Sequence, residues 1–261
     1  MNVSSALPAG TGMPAQVDYV LRLADTSLIL AQRLGERVGH APAIEEDLGL
    51  ANTALDLLGQ ARMLLAYAGE LEGKGRDEDA LAFLRDEPEF LNLCLAERPN
   101  SDFGHVIMRQ FLLDAWQLGM HSALSASKDT RLAAIAAKSL KETLYHVRYS
   151  GGWVVRLGDG TTESHRRMQA ALDALWPYTT ELFDADAVDS QMHSSGIGPD
   201  LPSLKPSWLT QVDAVLQDAT LVRPRDSRPI HYGKRGQHSE TFGYLLTEMQ
   251  ALHRAHPGAQ W

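Results

Sequence analysis

Four stretches of about 25 residues each carry apolar side chains at the three- and four-residue spacing of a helix face, and none alternates with period two. The first runs from Pro14 to about His40 on the stripe Val17, Val20, Ala24, Ser27, Ala31, Leu34 and Val38, with Gly39 to Pro42 as a stop. The second runs from Ile44 to about Ala68 through Leu50, Ala54, Leu57, Ala61, Leu64 and Ala68, and a Gly- and charge-rich loop from Gly69 to Asp79 ends it. The segment Ala80 to Pro99 reads as irregular or as short helices. A third helix covers about Asp102 to Ser127, with Ile107, Phe111, Asp114, Leu118 and His121 on one face. The fourth covers about Thr130 to Leu157, with Leu132, Ala136, Ser139, Thr143, His146, Ser150 and Val154. Helices of this length span ~37 Å at about 1.5 Å per residue. Joined by loops, they specify an antiparallel four-helix bundle. Further helices are expected at Glu163–Phe183, Leu204–Thr220 and Glu240–Ala255. Residues 14–261 are expected to form one domain, preceded by a flexible tail of residues 1–13.

Charge and cysteine usage narrow the function. A net charge of -9 with no basic run argues against nucleic-acid binding. The one cysteine, Cys94, lies among Phe90, Leu91, Leu93 and Leu95 and reads as a buried small hydrophobe. No apolar run reaches the ~18 residues that a bilayer span needs, and the N-terminus carries no signal-peptide pattern, so a cytoplasmic protein is expected. GxGxxG, P-loop and GxSxG motifs are all absent. The C-terminal Trp261 and the stretch from His231 are candidate interface elements.

Long bundles of the ferritin-like kind often hold two irons, using a carboxylate from each of two helices and Glu-x-x-His from each of the other two. This sequence contains no Glu-x-x-His. Glu36 with His40, and Glu142 with His146, stand at i,i+4, a spacing typical of surface ion pairs. On helical wheels the two motif slots read Leu57-x-x-Gln60 and Thr143-x-x-His146, and Asp114 sits between Phe111 and Leu118. Leucine offers iron no ligand atom, and glutamine and threonine are poor replacements for imidazole and carboxylate. A buried Asp114 needs partners, so Asp114, His146 and Thr143 are expected to join a closed hydrogen-bond network across the core. A residual single-metal site is the competing reading. Glu36 falls opposite the apolar stripe of the first helix, and would face inward only if the chain bends at Gly35 or Gly39 or a partner covers that side.

Several segments carry a family resemblance. They include Gln32-Arg33-Leu34-Gly35-Glu36 with Gly39-His40-Ala41-Pro42, Leu50-Ala51-Asn52, and Asp56 through Arg62. Arg109-Gln110-Phe111 with Asp114-Ala115-Trp116, Lys141-Glu142 with Tyr145-His146, and Glu181-Leu182-Phe183-Asp184 add to them. From about Asp18 to the C-terminus the chain resembles the structural, ferritin-like subunits of the bacterial phenylacetyl-CoA epoxidases (phenylacetate-CoA oxygenases). The resemblance implies an all-α, ferritin-like bundle with additional C-terminal helices. It implies a place in an enzyme that converts phenylacetyl-CoA, with oxygen and NADPH, to the ring 1,2-epoxide. It further implies a partner catalytic subunit that carries the di-iron site, a small bridging subunit, and a reductase with FAD and an iron–sulfur centre. This chain itself would hold no cofactor and stabilise the catalytic subunit. The catalytic sister's Asp-Glu-x-Gly-His motif would fall on Asp56-Leu57-Leu58-Gly59-Gln60, its second motif on Thr143 to His146, and its other carboxylates on Glu36 and Asp114. The degenerate di-iron positions are thus Glu36, Leu57, Gln60, Asp114, Thr143 and His146. A self-standing oxygenase or oxidase with an atypical metal site is the alternative.

Overall fold

A computed structural model describes residues 14–226 and 232–259. The expectations for the 1–13 tail, for His231 and for Trp261 therefore lie outside the described residues. The long helices are α1 (Ala15–Gly35), α2 (Ile44–Glu72), α4 (Phe103–Leu124) and α5 (Thr130–Gly158), with the short α3 (Glu78–Phe83) between the pairs. The additions are α6 (Thr162–Leu175), α7 (Ala187–Ser195), α8 (Lys205–Asp218) and α9 (Phe242–Ala255). The fold is an all-α, ferritin-like bundle. α1 packs on α2, α4 packs on α5, and α2 meets α5 across the middle. No helix among the described residues is long and apolar enough to cross a membrane.

Two boundaries and one additional element differ from expectation, each for a local reason. α1 stops at Gly35, where tight turns take over: Arg37 N–H donates to Leu34 O and Val38 N–H to Gly35 O. Val38 is consequently 48% exposed and leaves the core stripe. α2 continues through Gly69 to Glu72. At Gly69 a Cβ would lie 2.2 Å from the carbonyl oxygen of Arg76, so glycine lets the returning loop lie against the helix. Gly73 then ends the helix at φ 65°, in the left-handed region that glycine favours, with its N–H on Gly69 O. The nine-residue α7 is an element that the periodicity does not reveal. Its capping box is Asp186 with Asp189, a signal too short to stand out from a loop.

α4 is the central element, buried on nearly all sides by α5, α6 and α8. Tryptophan indoles lock the additions to it. Trp208 donates to Leu112 O and Trp116 to Leu182 O, each at 3.1 Å. The segment after residue 232 is held by buried charge, with His238 against Glu97 and Lys234 against Asp189.

Candidate functional site

The polar residues of the long helices meet in the bundle interior. Leu57, Gln60, Asp114, Thr143 and His146 are all fully buried. Glu36 is not with them. It lies exposed past the end of α1, where Arg33 (2.8 Å) and Asn100 (3.0 Å) donate to its carboxylate. Glu36 still has helical backbone, with its N–H on Gln32 O, and its place opposite the apolar stripe of α1 keeps it at the surface, so it supplies no interior carboxylate.

The interior groups form separate clusters instead of the single closed network expected. Asp114 accepts from Gln110 Nε2 at 2.6 Å and from Ser150 Oγ at 2.7 Å. Thr143 Oγ1 donates to Ser139 O (2.9 Å), so His121 Nδ1, 3.1 Å away, is the donor in their contact. His146 Nε2 donates to Asp56 Oδ2 at 3.0 Å, and Gln60 Nε2 donates to Glu142 Oε2 at 3.0 Å. Asp114 has its partners, but they are neither His146 nor Thr143. Four buried atoms here have no protein partner: His146 Nδ1, Gln60 Oε1, Gln110 Oε1 and Ser139 Oγ. The reason is geometric. Each side chain spends one polar atom on its nearest neighbour, and the aliphatic Leu57 presents nothing to the others.

The i,i+4 pairs also differ from expectation. Glu142 turns to Gln60 and Lys138, while His146 turns inward and reaches Asp56. Asp56, the first residue of the motif slot on α2, meets His146, whereas Gln110 and Ser150 are groups of this layer that a search for ligand motifs does not find. A sequence signal exists for both. Gln110 stands four residues before Asp114, and Ser150 four residues after His146, so each shares a helix face with its partner.

Burial sets the protonation of this layer. It pushes the Asp114 carboxyl up to about 6, against the lowering influence of His146, Ser150 and Gln110. Burial, assisted by His146, also brings His121 down to about 4. A carboxyl raised in the folded state favours its neutral form. Folding therefore loses stability as pH rises from about 4 to about 6, and the loss is complete above that. A shift of about two pH units corresponds to about 3 kcal/mol as an upper bound. Asp114→Asn removes the charge and keeps an acceptor for Gln110, while Ser150 turns to donate to His146 O, 2.9 Å away. The expected result is equal stability of the two proteins near pH 4 and an advantage of about 1–3 kcal/mol for the variant at pH 7.5. Asp114→Ala strands Gln110 and Ser150 and should lose about 2–4 kcal/mol throughout. Denaturant titrations across pH 4–8 check both, and parallel stability profiles for wild type and the asparagine variant would show a solvated Asp114.

The donor set does not fit a di-iron centre. Leu57 has no ligand atom, the Gln60 and Thr143 donors are spent on Glu142 and Ser139, and Asp114 is held by two donors of its own helix pair. Among the described residues no group of three or more His, Cys, Asp or Glu side chains is arranged to hold a metal ion. Cys94 is no nucleophile either. It is buried beside Glu181 and Glu97, and burial pushes its thiol far up.

Known proteins share this sequence over nearly its whole length. A family model described as phenylacetic acid catabolic protein matches residues 8–261. The chain is also 51% identical over 243 residues to a subunit of the 1,2-phenylacetyl-CoA epoxidase of Escherichia coli (strain K12), covering 93% of this chain and 98% of that relative.

Proposed function

The chain belongs to the phenylacetic acid catabolic protein family, and from that premise we propose that it is the non-catalytic, structural subunit of a phenylacetyl-CoA 1,2-epoxidase. In this role it binds and stabilises the subunit that carries the di-iron site, alongside a small bridging subunit, and it holds no cofactor. Electrons come from NADPH through a partner reductase with FAD and an iron–sulfur centre. The observation that carries this reading is the pair Leu57/Gln60 and Thr143/His146. All four are buried in the bundle, and the helical wheels together with the family resemblance assign them to the two positions where a di-iron protein of this fold needs Glu-x-x-His. The likeness to a relative named as a subunit of that epoxidase supports it.

The competing reading is a self-standing oxygenase with an atypical metal site. Its best support is the buried, unpartnered Nδ1 of His146. Reconstitution separates the two. Added to the purified di-iron subunit, the chain should raise that subunit's melting temperature and support epoxidation of phenylacetyl-CoA. His146→Gln should do the same within about threefold, a difference under about 1 kcal/mol. An intact complex whose turnover disappears with His146→Gln would place chemistry in this chain and refute the support role.

A further inference from the structure

α2 is apolar on two faces. Leu50, Leu57, Ala61 and Leu64 enter the bundle core, while Ile44, Leu48 and Leu55 point outward with 71%, 59% and 64% exposure. A surface helix ordinarily turns a polar face to water, so a second apolar stripe needs cover. The outward stripe continues along Gly59, Met63 and Ala66. With the ion pair Arg62–Glu78 and with Arg131, Ile135 and Lys138 of α5, these line a groove of about 520 Å³. Leu144 and Tyr145 of α5, each 52% exposed, extend the apolar surface across the seam that Asp56–His146 and Gln60–Glu142 close from inside. Five of the ten large, exposed hydrophobic side chains among the described residues thus belong to this one face.

The α5 half of this face is basic in a chain of net charge -9. α5 carries five cations, Arg131, Lys138, Lys141, Arg148 and Arg156, and a single carboxylate, Glu142, while the carboxylates of α2 outnumber its one cation, Arg62. All five α5 cations are exposed, with Arg131 paired to Glu70 of α2 and Lys138 to Glu142. Two-fold self-pairing centred on α5 would set this stripe against itself, which like-charge repulsion opposes.

We propose that the outward face of α2 and α5 is the docking surface for a second helical subunit, which presents an apolar ridge bordered by carboxylates. The proposal rests on the subunit reading above and adds to it the location and chemistry of the interface. Leu48, Leu55 and Tyr145 form the apolar centre, and Lys138, Lys141 and Arg148 the charged rim. The competing surface is the groove beside α9, whose lining of Asp86, Glu87 and Glu240 suits a basic partner.

Sedimentation and titration calorimetry of the full chain with the purified di-iron subunit of the same epoxidase test the proposal. Leu48→Glu/Leu55→Glu should weaken binding about 100-fold with its circular dichroism unchanged, since both residues are exposed. Lys138→Glu/Lys141→Glu should weaken it about tenfold and flatten its salt dependence. Tyr244→Glu/Leu252→Glu, on α9, should bind as wild type does. Wild-type affinity in the α2 and α5 variants would overturn the proposal while leaving the subunit reading intact. Self-association of the wild type that Leu48→Glu/Leu55→Glu abolishes would overturn it in favour of a second copy. Failure of the wild type to bind the di-iron subunit would overturn the subunit reading and this surface with it.

Discussion

Replacing Asp25 with alanine is expected to destabilise the chain by about 3–5 kcal/mol, because it strands a guanidinium in the core. Asp25 on α1 and Arg85 after α3 are both fully buried, and both terminal nitrogens of Arg85 meet the Asp25 carboxylate. Asp25 also accepts from Leu91 N–H at 2.9 Å, while Arg85 donates to Glu89 O and lies over the Phe90 ring at 4.2 Å. The fork geometry makes the pair bidentate, and the surrounding bonds use up its remaining donors and acceptors. Removing one partner leaves the other charged, buried and unpaired. Asp25→Asn should lose less, about 2–3 kcal/mol, since one acceptor survives. Equilibrium denaturation at pH 7 measures both, and a loss below about 1 kcal/mol for Asp25→Ala would mean that water reaches Arg85.

Glu97→Ala should cost about 3–5 kcal/mol and should also free the C-terminal segment. The buried Glu97 carboxylate accepts from His238 Nδ1 (2.8 Å), Asn92 Nδ2 (2.9 Å) and Ser239 N–H (2.6 Å). His238 Nε2 faces Phe90 O at 2.9 Å, so both ring nitrogens meet acceptors and the imidazolium is the form that suits the site. Burial opposes that charge, but the bonds to Glu97 and Phe90 outweigh it, and the His238 pKa is raised above its ordinary value. Glu97 is held below the usual carboxylate range, burial again being outweighed by His238. A histidine raised in the folded state contributes fully below its unfolded pKa of about 6.5, and its contribution fades as pH rises through the folded value. The segment 232–259 should therefore be cleaved by trypsin faster at pH 9 than at pH 6 relative to an unfolded control. Glu97→Ala should be cleaved quickly at both. Equal protection of variant and wild type would assign the anchoring of α9 to its apolar contacts alone.

The four long helices are legible because each must bury one continuous stripe, and a 3.6-residue period survives in sequence whatever the loops do. Leu57, Asp114, Thr143 and His146 can be assigned to the interior for the same reason. Their hydrogen-bond partners cannot. Whether His146 meets Asp114 or Asp56 depends on the depth at which α2 crosses α5, and no single-helix wheel contains that. The outward stripe of α2 is present in the letters Ile44, Leu48 and Leu55, yet the longer inward stripe masks it. A helix apolar on two faces encodes a second packing partner, and a lone chain does not name that partner.

The most direct measurement is iron per chain, by elemental analysis of the protein purified alone from iron-supplemented cells. A support subunit with leucine, glutamine and threonine in the ligand positions should hold well below one iron per chain, and His146→Ala should leave that value unchanged. One or more tightly bound irons per chain, lost on His146→Ala, would contradict it.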